Sequence, residues 1–194
     1  MISTLFRRTA GSVLVAVAAL FTGCAQVPLG TPVASIDNIQ AARAVGMQPV
    51  NVGKFELAAG KDPTLDKGLA IRAASVGSPI DGSFAKYLRE TLTVELKAAG
   101  LFDPTAKTTI EGFLTDSAAD AAMSRGTGRL GARFVVVRGG RTVYDKELKV
   151  DASWDSSFVG AVAIPAAINE YSALYRKLVA KLLADPAFRA AVTA

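Results

Sequence analysis

Histidine is absent from the 194-residue chain, and cysteine occurs once, at Cys24. Ser-His-Asp and Cys-His nucleophilic machinery therefore has no residues to be built from, and neither do the usual zinc sites. A Ser-Lys dyad is the arrangement that remains, and no Ser-x-x-Lys pair is expected at a helix start to support it. Asp62 with Asp66, and Asp116 with Asp120, sit in loop-like segments and read as solvated turn carboxylates. Gly126-Thr127-Gly128-Arg129-Leu130-Gly131 has the spacing of a dinucleotide-binding loop. That motif must follow a strand and open a helix, so that the helix N-terminus meets the pyrophosphate. Here the glycines run into a predicted strand, residues 132–137, and no helix follows. No metal, no cofactor and no catalytic residue is expected.

Two other clusters are candidates for binding. Arg125, Arg129, Arg133, Arg138 and Arg141 fall between residues 121 and 144 with no acid among them. Arg133 lies on the polar face of its strand, and Arg138 and Arg141 flank a turn, which makes these three a candidate anion patch for phosphate groups. The competing reading is a solvated face whose charge is balanced by Asp145, Glu147 and Asp151. The second cluster is Trp154, Phe158, Val159 and Val162, set around Gly160. These apolar residues either tuck under the following helix or form an exposed lip for a partner or ligand.

Cys24 has a chemistry of its own. Arg7 and Arg8 precede an apolar stretch, residues 10–21, which is shorter than the roughly 20 residues a bilayer span requires. Phe21-Thr22-Gly23-Cys24 then resembles the lipobox cleaved by lipoprotein signal peptidase, with Phe where Leu is usual. A lone cysteine forms no internal disulfide, so lipidation accounts for both its position and its solitude. Residues 1–23 are therefore expected to be a signal peptide, residues 24–34 a lipidated tether rich in Pro and Gly, and residues 35–194 a single periplasmic domain. Such a tether spans at most about 40 Å. Ala25 after the cysteine, where the enterobacterial sorting rule has Asp for inner-membrane retention, implies the outer membrane. Loss of Arg7 and Arg8 with the signal lowers the net charge of +5 by two. That leaves too little positive charge for a nucleic-acid footprint.

The elements around these residues follow from periodicity. Ser35 can cap a short helix to Ala44. Val50–Leu57 reads as a strand with a bulge at Gly53, and Leu69, Ile71 and Ala73 as a weaker one. Phe84, Leu88, Leu92 and Leu96 recur every four residues in a helix from Ser83 to Ala99, stopped by Gly100. Residues 108–116 form a strand, followed by a polar stretch to Ser124. Leu130, Ala132, Phe134 and Val136 line a strand joined through Gly139-Gly140 to another, in which Tyr144, Leu148, Val150, Ala152 and Trp154 share a face. Ile168, Tyr171, Tyr175, Leu178 and Leu182 mark a last long helix, predicted to open at Ile164-Pro165 and to end at Asp185-Pro186. The expected fold class is α+β: an antiparallel sheet of about 4–5 strands with two long helices on one face.

The lipobox, the helix YLRETLTVELKAAGLF (residues 87–102), the segment VDASWDSSF (150–158) and the Asp185–Phe188 helix end together resemble the YajG-like group of uncharacterised outer-membrane lipoproteins. The resemblance covers residues 81–190. It implies a lipid-anchored envelope protein facing the periplasm and carries over no enzymatic residue. A similar mixed domain occurs in auxiliary lipoproteins of envelope lipid-transport systems. Two functions fit: a non-enzymatic accessory module that binds another envelope protein, or a binder of a lipid or other apolar ligand.

Overall fold

The computed structural model describes residues 26–193. The predicted signal, Cys24 and Ala25 lie outside them.

The described residues form seven strands, in two sheets, and four α-helices. In order they are β1 (Val27–Pro28), α1 (Ile36–Val45), β2 (Asn51–Leu57), β3 (Leu69–Ile71), β4 (Ala74–Gly77), α2 (Phe84–Ala99), β5 (Thr108–Asp120), β6 (Ser124–Arg138), β7 (Arg141–Ser156), α3 (Gly160–Ala184) and α4 (Pro186–Thr193). The main sheet runs β2-β5-β6-β7, and the small one β1-β4-β3. This is the expected α+β class, and the sheets are mostly antiparallel.

The main departure is that β2 pairs with β5 in parallel. Parallel neighbours need a crossover, and α2 supplies it. Residue alternation encodes which face is buried, not the direction of the partner strand, so this one parallel edge of a mostly antiparallel sheet carries no signal in sequence. The bulge at Gly53 is present as a register shift between Val52 and Phe55. A Cβ on Gly53 would stand 2.7 Å from the Thr109 side chain.

β5 and β6 are longer than their apolar residues suggest, and the predicted polar stretch is strand up to Asp120. The register slips between Leu114 and Asp116, which turns Ser117 inward, where it is buried. On β6 the inward positions continue upstream as Gly126 and Gly128, so the glycine run is the strand itself.

α3 opens at Gly160 rather than at Ile164-Pro165, and Pro165 lies inside the helix. The backbone bond that Pro165 forgoes would go to Ala161, an exposed residue, where water can replace it. The N-terminal stretch read as a tether is partly docked. Val27 and Pro28 pair with β4, Leu29 N–H donates to the Gly77 carbonyl at 2.9 Å, and Leu29 is buried.

The core lies between the inner face of the main sheet and the helices. Phe84, Leu88, Leu92 and Leu96 of α2 meet Tyr171, Tyr175, Leu178 and Leu182 of α3 over Ile110, Leu114, Leu130 and Phe134, all fully buried. Caps fix the helix ends as the sequence indicates: Ser35 for α1, Ser83 for α2, and left-handed Gly100 closing α2.

Candidate functional site

The β6–β7 hairpin carries the five arginines, and the second candidate cluster starts on it at Trp154 and continues past the end of β7. At its tip Gly139 and Gly140 have φ of 55° and 78°, the pair of positive values that a two-residue hairpin turn demands.

The arginines along the hairpin do not converge. Arg133 makes a bidentate pair with Asp145 and lies 5.7 Å from the Phe113 ring centroid. The hydrogen bond from Arg133 holds the Asp145 carboxyl below its usual value. Arg138 reaches the Ala191 carbonyl of α4, on the opposite face, while Arg141 is exposed beside the turn. Upstream, Arg129 pairs with Asp116 at 3.0 Å, and Arg125 donates to Ser153 at 2.8 Å.

The outer face of the sheet at the far end of the hairpin is open. Ala118, Asp120, Thr127, Arg129, Asp151 and Ser153 line a shallow concavity of about 580 Å³ there.

The second cluster divides. Trp154 is half-buried, with its indole over Gly126, while Phe158, Val159 and Val162 are 78%, 56% and 58% exposed. Met123, in the β5–β6 turn, is also exposed. Met123 carries no signal in sequence, because the apolar alternation of the flanking strands stops several residues short of that turn. Arg72 organises this apex. Its backbone is left-handed, with φ 53°, and its guanidinium donates to the carbonyls of Ala121 (2.7 Å), Ser157 (2.6 Å) and Phe158 (3.2 Å) and to the Ser156 hydroxyl (3.4 Å).

Ser83-Phe84-Ala85-Lys86 does have Ser-x-x-Lys spacing at the start of α2, contrary to the expectation from sequence. The Ser83 hydroxyl is committed elsewhere: it donates to Asp66 at 2.9 Å and accepts from the Lys86 backbone. The Lys86 ammonium pairs instead with Asp81, 2.9 Å away. Asp66 also accepts from the Ala85 N–H at 2.7 Å and is buried, so this carboxylate anchors α2 and is not a solvated turn residue. Asp62 is exposed and caps the Pro63–Asp66 turn.

Between helices and sheet, Ser117, Tyr171 and Tyr175 form a buried hydroxyl chain with links of 2.7 and 2.8 Å. Burial raises both phenols above their ordinary value. Among the described residues no group of three or more His, Cys, Asp or Glu could hold a metal ion, and no helix is long and apolar enough to cross a membrane.

No family model matches the sequence, and no curated protein does. Solved structures do resemble it. Protein XCC0632 from Xanthomonas campestris, of the DUF330 family, matches with a TM-score of 0.56 and 10% identity, over 86% of this chain and 96% of that one. A candidate lipoprotein from Caulobacter crescentus CB15 matches with a TM-score of 0.42 and 15% identity, over 77% and 92% of the two chains. A minor lipoprotein from Acinetobacter baumannii matches with a TM-score of 0.33 and 12% identity, over 70% and 92%. The first likeness establishes a shared fold alone, and the other two are too loose to carry an argument. The class defined is therefore an α+β fold shared with a DUF330 protein. The resemblance to the YajG-like group has no counterpart among family models.

Proposed function

We propose that the chain is a lipid-anchored accessory protein of the bacterial cell envelope, fastened through Cys24 to the outer membrane and facing the periplasm. The observation that carries this reading is Phe21-Thr22-Gly23-Cys24 at the end of an apolar segment, only three residues before Val27, where β1 begins. Several acyl chains on Cys24 hold the domain firmly, since each buried methylene contributes about 0.8 kcal/mol. On this reading the domain acts by binding another envelope protein and catalyses no reaction. The uncovered outer face of β5, β6 and β7 supports that role, because it offers exposed polar groups on a hydrogen-bonded sheet.

The test is incorporation of labelled palmitate by the wild type and by Cys24→Ser. The variant should remain uncleaved, unlabelled and mislocalised; a C24S chain still cleaved and membrane-bound would overturn the anchor. Crosslinking in intact envelopes followed by purification reads the second half of the proposal. Reproducible protein partners support an accessory module, whereas lipid retained by the purified protein supports the alternative, a lipid binder.

A further inference from the structure

The apex beside Arg72 gathers large apolar side chains in solvent. Phe158 is 78% exposed, Met123 64%, Val162 58% and Val159 56%. They come from two separate segments brought together by strand register, because Ser124 pairs with Ser156. The Arg72 guanidinium then ties the Ala121 carbonyl to those of Ser157 and Phe158. No charged residue occurs from 156 to 169, nor from 121 to 124. Isolated exposed apolar residues need no explanation, but a cluster of four on two segments without a charge of their own, beside a single arginine committed to backbone carbonyls, points to a surface that is covered in use.

The path of the chain says what covers it. β3 and β4 meet at the Arg72 turn, and β4 runs away from that turn. β1 is parallel to β4, with Val27 opposite Val76 and Pro28 opposite Gly77. The chain therefore arrives at β1 from the side of the Arg72 turn. Cys24 precedes Gln26 by two residues, and two residues of chain reach at most about 7 Å. The chain thus enters β1 at the end of the domain that carries the apolar apex, with a single residue between Gln26 and the site of lipidation in sequence.

We infer that Phe158, Val159, Val162 and Met123 form a second membrane contact, entering the headgroup region of the bilayer that holds the lipid on Cys24. The inference rests on the reading of Cys24 as the anchor. A covalent anchor makes the second contact intramolecular, so a few side chains suffice where a free protein would need many. Apolar side chains at an interface penetrate about 5–10 Å, to the boundary between headgroups and acyl chains. The contact fixes the orientation of the domain, with the Gly139-Gly140 tip of the hairpin directed away from the membrane.

The test uses full-length, lipidated protein in phosphatidylethanolamine and phosphatidylglycerol vesicles. The thiol of Cys24 is consumed by lipidation, so Phe158→Cys, Val162→Cys or Arg141→Cys each introduces one free thiol for a bimane label. All three positions are exposed, and labelling there spares the core. Lipids carrying a headgroup nitroxide should quench the label at 158 and 162 several-fold more than at 141. Equal, weak quenching at all three positions on protein that floats with the vesicles overturns the membrane contact and leaves the anchor standing. A second labelled thiol at position 24, on protein that does not float, removes the anchor and the inference with it.

Discussion

The indole of Trp154 lies directly on the backbone of Gly126: a Cβ there would stand 2.2 Å from ring atom Cε2. The indole Nε1 is buried without a hydrogen-bond partner, so packing alone holds the ring. Phe55 covers Gly112 in the same way, with its Cε1 at 2.2 Å. Gly126→Ala should therefore cost about 1–3 kcal/mol, the range for overpacking a filled site. Trp154→Leu should lose packing but no hydrogen bond. The double variant should be less damaging than the sum of the two, by about 1 kcal/mol or more. Urea unfolding of the four proteins measures this; strict additivity would show that ring and glycine do not compete for the same space.

Glu95 ties α1 to α2. It is fully buried and accepts from the Ser35 N–H at 3.0 Å and the Asn38 amide at 2.9 Å; that amide also donates to the Arg176 carbonyl. Glu95→Gln replaces one accepting oxygen with a donor facing a donor. It should cost about 1–3 kcal/mol, the penalty for a buried polar group left unpaired. Hydrogen exchange should quicken in residues 36–45 before the rest of the chain. Uniform loss of protection would place the damage in the core instead.

These two sites mark where the sequence is readable and where it is not. α2 is apparent from its four-residue leucine spacing and its caps, because helix periodicity and capping are local. The hairpin is apparent for the same reason. The parallel pairing of β2 with β5 is set by a crossover between distant residues, which no window along the chain records. Gly126 and Gly128 look like a loop until Trp154 and Leu174 are seen to occupy the space their side chains would need. Asp66 looks solvated until the start of α2 folds onto it. At the apex Phe158, Val159 and Val162 are visible as apolar residues in sequence, but their exposure, and the addition of Met123, emerge only when strand register sets Ser124 opposite Ser156.

Tyr171 and Tyr175 should produce an alkaline limit to stability. Burial raises both phenols above the ordinary value of 10.0. A group whose folded value is raised stabilises the native state below the unfolded value, and that stability is lost as pH climbs beyond it. Stability should hold near neutrality and fall above about pH 10, the ordinary tyrosine range. Tyrosinate absorbance from these two residues should appear only with unfolding. In Tyr171→Phe the fall should be shallower, since one titrating group is gone; an unchanged slope in urea unfolding at high pH would remove Tyr171 from the account.

Asp185 governs the acid side by the opposite sign. Its Oδ1 accepts from the N–H groups of Ala187 (2.9 Å) and Phe188 (3.2 Å), capping α4, and its Oδ2 meets the Lys146 ammonium. Burial pushes the carboxyl up, but the hydrogen bond from Lys146 and the N–H of Phe188 outweigh it and hold it below the ordinary 3.8. A lowered folded value contributes stability above the unfolded value and loses it as pH falls through the folded one. Asp185→Ala should therefore cost about 0.5–2 kcal/mol near neutral pH, the usual worth of an N-cap. Below about pH 4, where free carboxylates protonate, the gap between wild type and variant should narrow. Asp185→Asn keeps a capping oxygen and loses only the ion pair, so it should fall between the two near neutrality. Thermal unfolding of the three proteins across this range decides the matter: a gap that stays constant into acid would show that the charge on Asp185 does not hold α4 in place.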